Sequence, residues 1–203
     1  MERIYLFYVI CGFFLGSILF AYEIPKLMKN IDIRELSEDR NPGTFNAFVY
    51  GGTACGILVL LCELLKGFLP VYLCSQRVGR DSMLFSGVLL APVLGHAFSI
   101  FHKGKGGKGI AVSFGVLLGL FPCWTPVLTL AAIYIFFSLV VPVRSHLKRS
   151  VATFGCYGAV TLFPVWEQAV RLGAFLISGI VIYKHLEAAA LEETENKEKW
   201  RVQ

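Results

Sequence analysis

The chain reads as an all-α polytopic integral membrane protein of about seven transmembrane helices, one domain over residues 1–203, with its amino terminus outside and its carboxyl terminus inside. Three observations predict this class. Apolar side chains make up 56% of the residues and charged ones 16%, with a mean hydropathy of +0.65, which leaves too little polar surface to cover a water-soluble globule. The apolar residues gather into long continuous runs that do not alternate, which argues against a closed barrel. Basic residues are shared unequally between successive loops, as sided insertion requires.

In chain order, the uncharged runs 4–22, 41–62 and 82–101 each match the roughly 20 residues an apolar helix needs to cross the hydrocarbon core. The first has a weak basic start and no small-x-small cleavage site, so it is expected to be a retained helix. The run 109–143 is 35 residues long and contains FPCWTP, in which Pro122 and Pro126 bracket an interfacial-type Trp124. Two helices joined by a tight turn are predicted there. The shorter runs 150–166 and 172–183 complete the set. With that count, one side of the membrane receives Lys26, Lys29, Arg34, Arg40, Lys103, Lys105, Lys108, Arg144, Lys148 and Arg149, and the other receives Arg77, Arg80 and Arg171. Ten against three makes the first side cytoplasmic.

Several chemistries are disfavoured. Six cysteines stand singly in or beside apolar runs, and neither they nor the four histidines have metal-ligand spacing, so no metal is expected. No Gly-x-Ser-x-Gly elbow marks a serine hydrolase, and no His precedes an Asp by five positions. The net charge of +5 gathers at the cytoplasmic face, where anionic headgroups account for part of it; nucleic acid is a poor partner for such a chain.

Three regions interrupt the apolar pattern: 29–48, 62–67 and 94–112. In the second, Glu63 and Lys66 stand inside an apolar stretch, where each charge costs roughly 2.5 to 3.5 kcal/mol. Three positions apart, they share a helix face and can neutralise each other. The third contains HKGKGGKG, with three lysines and four glycines from Lys103 to Gly109. Glycine lets peptide N–H groups approach an anion, and a helix starting near Gly109 would point its unpaired N–H groups at the same place. With Lys103, Lys105 and Lys108 this makes a phosphate cradle; the plainer reading is a basic loop obeying the positive-inside tendency. No Gly-Lys-Ser or Gly-Lys-Thr follows, so a Walker loop does not fit. His96 and His185 fall near the inner surface, as proton carriers or phosphate donors, or as histidines satisfied by backbone carbonyls.

In order and spacing the three regions resemble the motifs of the bacterial acyl-phosphate:glycerol-3-phosphate acyltransferase family (PlsY). GHAFSIFHKGKGGKGIA is similar to the family's Gly-His-x-Phe-Pro and Lys-Gly-Gly-Lys-Gly core, ELLKG to its Asp-x-x-Lys-Gly, and IDIRELSEDRNPGTFN keeps Asp32, Arg34, Asn41, Pro42, Gly43 and Asn46. The departures are Glu63 for aspartate, Asp39 and Arg40 for Ser-Gly, Phe45 for threonine, Val49 for arginine, Ser99 for proline and Ala188 for the asparagine three residues after His185.

The resemblance implies transfer of a fatty acyl group from acyl phosphate to glycerol 3-phosphate at the cytoplasmic face of the bacterial inner membrane, without a cofactor. It implies that Lys105, Gly106, Gly107, Lys108 and Gly109 hold the donor phosphate. Arg34, Arg40 and Lys66 would help hold the acceptor's phosphate, with Asn41, Gly43 and Asn46 shaping the site and orienting hydroxyls. The proton would pass to the substrate's own phosphate, assisted by His96 or His185, while the acyl chain lies between helices against lipid. Structural readings stand beside these: Arg34 snorkelling to headgroups, Asn41 and Gly43 shaping the Pro42 turn, Lys66 only neutralising Glu63. A relative acylating another acceptor, and a small anion-binding transporter with Glu63 and Lys66 on its path, remain open readings.

Overall fold

Helices form where the apolar runs fall, and no strand occurs among the described residues. A computed structural model describes residues 2–37 and 39–201, with side chains as far as Thr194; the end of the cytoplasmic tail expected from the charge count lies outside them. The helices are α1 (Glu2–Ser17), α2 (Phe20–Lys29), α3 (Ile33–Leu36), α4 (Thr44–Gly51), α5 (Thr53–Val78), α6 (Phe85–Ala97), α7 (Ile110–Leu118), α8 (Thr125–Ile135), α9 (His146–Val160) and α10 (Gln168–Arg201). A π turn, Phe136–Val140, extends α8. Three stretches, Thr53–Val78, Phe85–His102 and Gln168–Thr194, are long and apolar enough to cross a membrane, and α1 with α2 makes a fourth that is bent by 40°. The predicted break in 109–143 falls between α7 and α8, around FPCWTP.

The second predicted span is displaced. The run 41–62 breaks at Gly52, whose φ of +81° favours glycine, and the long helix α5 continues through Glu63 and Lys66 to Val78. Its polarity is the reverse of a soluble helix. Leu58, Leu61, Leu65, Leu69 and Leu73 are exposed, while Val59, Glu63, Lys66 and Val71 are buried. With lipid as the solvent, leucine gains nothing by going inside, and the charges must face the bundle.

The main core joins α1, α5, α6, α7, α8, α9 and α10 through residues such as Val71, Phe85, Leu117, Phe154 and Ile177. A smaller cluster, including Ala21, Ile33, Ala47 and Val59, seats α2, α3 and α4 against α5. Close crossings depend on missing side chains: a Cβ at Gly16 would overlap the Pro92 carbonyl of α6, and one at Gly115 the Leu64 carbonyl of α5. At one end of the bundle Arg80 donates to the carbonyls of Leu120 (2.5 Å) and Phe121 (3.0 Å). There too Arg171 donates to those of Thr161 (2.8 Å) and Leu162 (2.9 Å). These cations satisfy carbonyls just past the ends of α7 and α9. The opposite end holds the polar loops.

Candidate active site

The bend between α1 and α2 leaves carbonyls without helical partners, and in lipid each must find one inside the protein. Ser99 Oγ donates to Ser17 O at 2.6 Å, and Lys66 Nζ donates to Ile18 O at 2.6 Å. Lys66 Nζ also lies 2.8 Å from Glu63 Oε2 and 2.9 Å from His96 Nδ1. An ammonium has three hydrogens, and a carbonyl, a carboxylate and an imidazole crowd round them. Lys66 is 1% exposed and does not reach the cavity wall. The phosphate contact expected of it is not seen among the cavity-lining residues: its charge meets a helix break, a carboxylate and an imidazole.

That junction fixes His96, and His96 fixes the glycine loop. His96 Nδ1 meets both members of the ion pair, Lys66 Nζ at 2.9 Å and Glu63 Oε2 at 3.1 Å, accepting from the ammonium in one tautomer and donating to the carboxylate in the other. The ring's Nε2 faces Gly107 so closely that a Cβ there would overlap it, while a Cβ at Gly106 would overlap the His96 carbonyl. The Gly107 N–H donates to that same carbonyl at 3.1 Å. Gly106 and Gly107 are thus glycines because the loop lies directly on the end of α6. Gly109, at φ +83°, turns the chain into α7. Lys103 and Lys105 are exposed to solvent; Lys108 alone of the three lines the cavity.

Across from it stands the first loop. Lys108 Nζ donates to Asp39 Oδ2 at 2.7 Å, Asn46 Nδ2 to Asp39 Oδ1 at 2.9 Å, and the Asn41 N–H to the same oxygen at 3.3 Å. Burial alone would push the Asp39 carboxyl up, but Lys108 and the two amide donors together hold it below the usual carboxylate range. Asn46 Nδ2 also donates to the Asn41 carbonyl at 2.9 Å, so both asparagines shape the turn that leads through Gly43 into α4. Arg34 is elsewhere. It donates to Asp32 through Nε (3.0 Å) and Nη2 (2.7 Å), holding that carboxyl below its ordinary range, and stacks over Tyr22 at 4.0 Å. With Arg40, whose φ is +45°, it borders a separate small depression.

The cavity has a volume of about 1330 Å³. Its polar mouth holds Asp39, Asn41, Asn46, Lys108 and His185, and its other end is an apolar groove along α7 and α8 lined by Leu64, Phe114, Leu118, Trp124, Val127 and Leu128. From Gly109 to Leu118 the groove follows α7 for about 14 Å at 1.5 Å per residue. His185 is 1% exposed, and its Nδ1 lies 2.7 Å from the Val181 carbonyl. A carbonyl only accepts, so Nδ1 carries the hydrogen and Nε2 is a bare acceptor. Nε2 is buried without a hydrogen-bond partner among the described residues.

The structure therefore brings Lys108, Gly109, Asn41, Gly43, Asn46, His96 and His185 to one cavity and leaves Lys66, Lys105, Arg34 and Arg40 off it. Sequence reasoning missed His146 and Arg149, which also line the mouth. Their signal was RSHLKRS, a dense basic run in a short loop, counted only toward sidedness. It also missed Asp39 as a partner for Lys108, because 69 positions separate the two.

A lipid-exposed helical bundle with internally paired charges and a cleft that is polar at one end and apolar along its length defines a helical membrane protein with an amphiphilic cleft. Comparison with known proteins narrows the class. The glycerol-3-phosphate acyltransferase family matches residues 6–190, and the chain belongs to that family. It is 32% identical over 196 residues to a glycerol-3-phosphate acyltransferase of Solidesulfovibrio magneticus, covering 96% of this chain and 94% of the relative. With glycerol-3-phosphate acyltransferase 2 of Thermotoga maritima it shares 46% identity over 111 residues, 55% of this chain and 56% of the relative. A crystal structure of PlsY, an integral membrane glycerol 3-phosphate acyltransferase, in its glycerol 3-phosphate form superposes with a TM-score of 0.80 at 30% identity, covering 94% of this chain and 92% of that one. A lysophosphatidic acid form of PlsY superposes at 0.77. The protein is thus an all-helical integral membrane protein.

Proposed function

We propose that the protein transfers a fatty acyl group from acyl phosphate to the sn-1 hydroxyl of glycerol 3-phosphate, yielding lysophosphatidic acid for phospholipid synthesis, at the cytoplasmic face of the bacterial inner membrane. The observation that carries this reading is the single cleft in which a lysine-bearing helix start, Lys108 and Gly109, opens directly onto an apolar groove. Family membership supports it, as do the names of the two PlsY structures, one a glycerol 3-phosphate form and one a lysophosphatidic acid form.

The chemistry suits the residues present. An acyl phosphate is a mixed anhydride, so no protein nucleophile or cofactor is needed; alignment and stabilisation of the departing phosphate lower the barrier. The acceptor hydroxyl adds to the carbonyl carbon, the bond from that carbon to the phosphate oxygen breaks, and its electron pair leaves with phosphate. The hydroxyl proton passes to the substrate's own phosphate or to His185 Nε2. Lys108 and the first N–H groups of α7 hold a phosphate. His96, Gly106 and Gly107 keep the loop in place, Asn41 and Asn46 set the opposing turn, and the acyl chain occupies the groove.

The test supplies purified protein in detergent with palmitoyl phosphate and labelled glycerol 3-phosphate. Labelled lysophosphatidic acid is expected. One observation favours a second reading: the Asp39 carboxylate already occupies Lys108, which suits an acceptor without a phosphate. Consumption of palmitoyl phosphate with a neutral polyol acceptor, and no reaction with glycerol 3-phosphate, would establish that alternative. Vesicle uptake without chemistry would point to transport.

A further inference from the structure

The proposed reaction brings two phosphorylated molecules into one cavity, yet the motif cations cannot serve both. Lys66 is consumed by its buried junction and Arg34 by Asp32, and Lys108, shared with Asp39, can turn to one phosphate only. Two phosphates at neutral pH together carry several negative charges, and close like charges in a half-desolvated cleft repel strongly. A second source of positive charge is needed on the cavity wall.

The corner between α8 and α9 supplies it. Arg144, His146 and Arg149 all line the cavity, and no carboxylate pairs with Arg144 or Arg149 among the described residues. Arg149 Nε is buried without a hydrogen-bond partner there, and its guanidinium lies 5.8 Å from the Tyr134 ring. Tyr134 follows the apolar groove residues on α8, so this cation stands where the groove meets the mouth. His146 stacks on His185 with ring centroids 5.7 Å apart. The unpartnered Nε2 of His185, almost wholly buried and on the same cavity wall, is an independent sign of a polar ligand there. Three carboxylates, Asp39, Glu63 and Glu192, also line the cavity; Asp39 is held by Lys108 and Glu63 by Lys66.

We propose that Arg149, with Arg144 and His146, forms a second phosphate subsite on the α9 side of the cavity, taking the phosphate of glycerol 3-phosphate or the phosphate of the acyl donor. A guanidinium suits this task because its planar fork can hold two phosphate oxygens at once. The subsite supplies a cation that Val49 does not, from a part of the chain far away in sequence. It rests on the acyltransferase reading.

Arg149→Gln, Arg149→Lys and the exposed Arg144→Gln test it by steady-state kinetics in detergent with palmitoyl phosphate and glycerol 3-phosphate, each varied in turn. For Arg149→Gln a rise in KM of about tenfold is expected, with kcat changed far less and partial recovery in Arg149→Lys. A rise for glycerol 3-phosphate alone assigns the acceptor's phosphate, and a rise for palmitoyl phosphate alone assigns the donor's. Unchanged KM values, or a loss confined to kcat, would overturn the subsite. A second measurement separates this failure from failure of the function. Inorganic phosphate should raise the melting temperature of wild type more than that of Arg149→Gln or Arg144→Gln, whatever acceptor the enzyme uses. Equal rises in all three would overturn the proposal.

Discussion

Lys66 and Lys108 each pair with a carboxylate, at 2.8 and 2.7 Å, and there the likeness ends. The Lys66 side chain is 0% exposed and its Glu63 partner 1%, whereas Lys108 and Asp39 are 15% and 33% exposed. Breaking a buried pair by removing one partner strands the other charge, while an accessible pair contributes little to stability and can be exchanged. One lysine is therefore part of the scaffold, and the other, in the function proposed above, is a cation that Asp39 holds until a substrate anion arrives. Two lysines in adjacent motifs thus do different work because one faces the bundle and one faces the cleft.

Lys66→Met attacks the scaffold side of this comparison and should have the largest effect. It leaves Glu63 buried and uncompensated and opens the α1–α2 carbonyls, a loss of about 3 to 5 kcal/mol, seen as a collapse of the melting temperature in detergent. Glu63→Gln combined with Lys66→Met should recover most of that loss. Lys108→Ala should instead keep the wild-type melting temperature and lower turnover by about 10² to 10³. Gly107→Val, whose side chain collides with the His96 ring, should leave the protein folded and reduce turnover by about 10².

Asp39→Asn sharpens the comparison from the other side. Removing the resident carboxylate should lower the KM for a phosphorylated substrate about fivefold, on the scale of an exposed ion pair. Because the Asp39 carboxyl is held below its ordinary range, the pair is intact above that range and is lost only as pH falls through the depressed value. The difference between Asp39→Asn and wild type should consequently stay constant from about pH 6 to about pH 8. Smallest of all, Lys105→Ala should change kcat/KM by less than about twofold, as expected for a solvent-facing side chain.

How much of this was legible beforehand varied with the range of the interaction. The apolar runs carried the fold class, and FPCWTP carried the break between α7 and α8, because both signals are local. The same reasoning misplaced the second span: a charge inside a run looks like an end until a partner three residues away and a histidine from α6 are seen to absorb it. HKGKGGKG marked the loop, but spacing cannot say which of three lysines turns inward. That is decided by Gly106 and Gly107 resting on α6 and by Gly109 starting α7. Asp39 with Lys108, and Arg149 beside Tyr134, are contacts between distant segments, and nothing in their immediate neighbours announces them.

An experimental structure with glycerol 3-phosphate bound tests the division between the two lysines most directly. The account predicts its phosphate in the cleft between Lys108 and the α9 corner, with Lys66 still joined to Glu63, His96 and the Ile18 carbonyl. A phosphate bound by Lys66, or seated outside the cleft at Arg34, would contradict it.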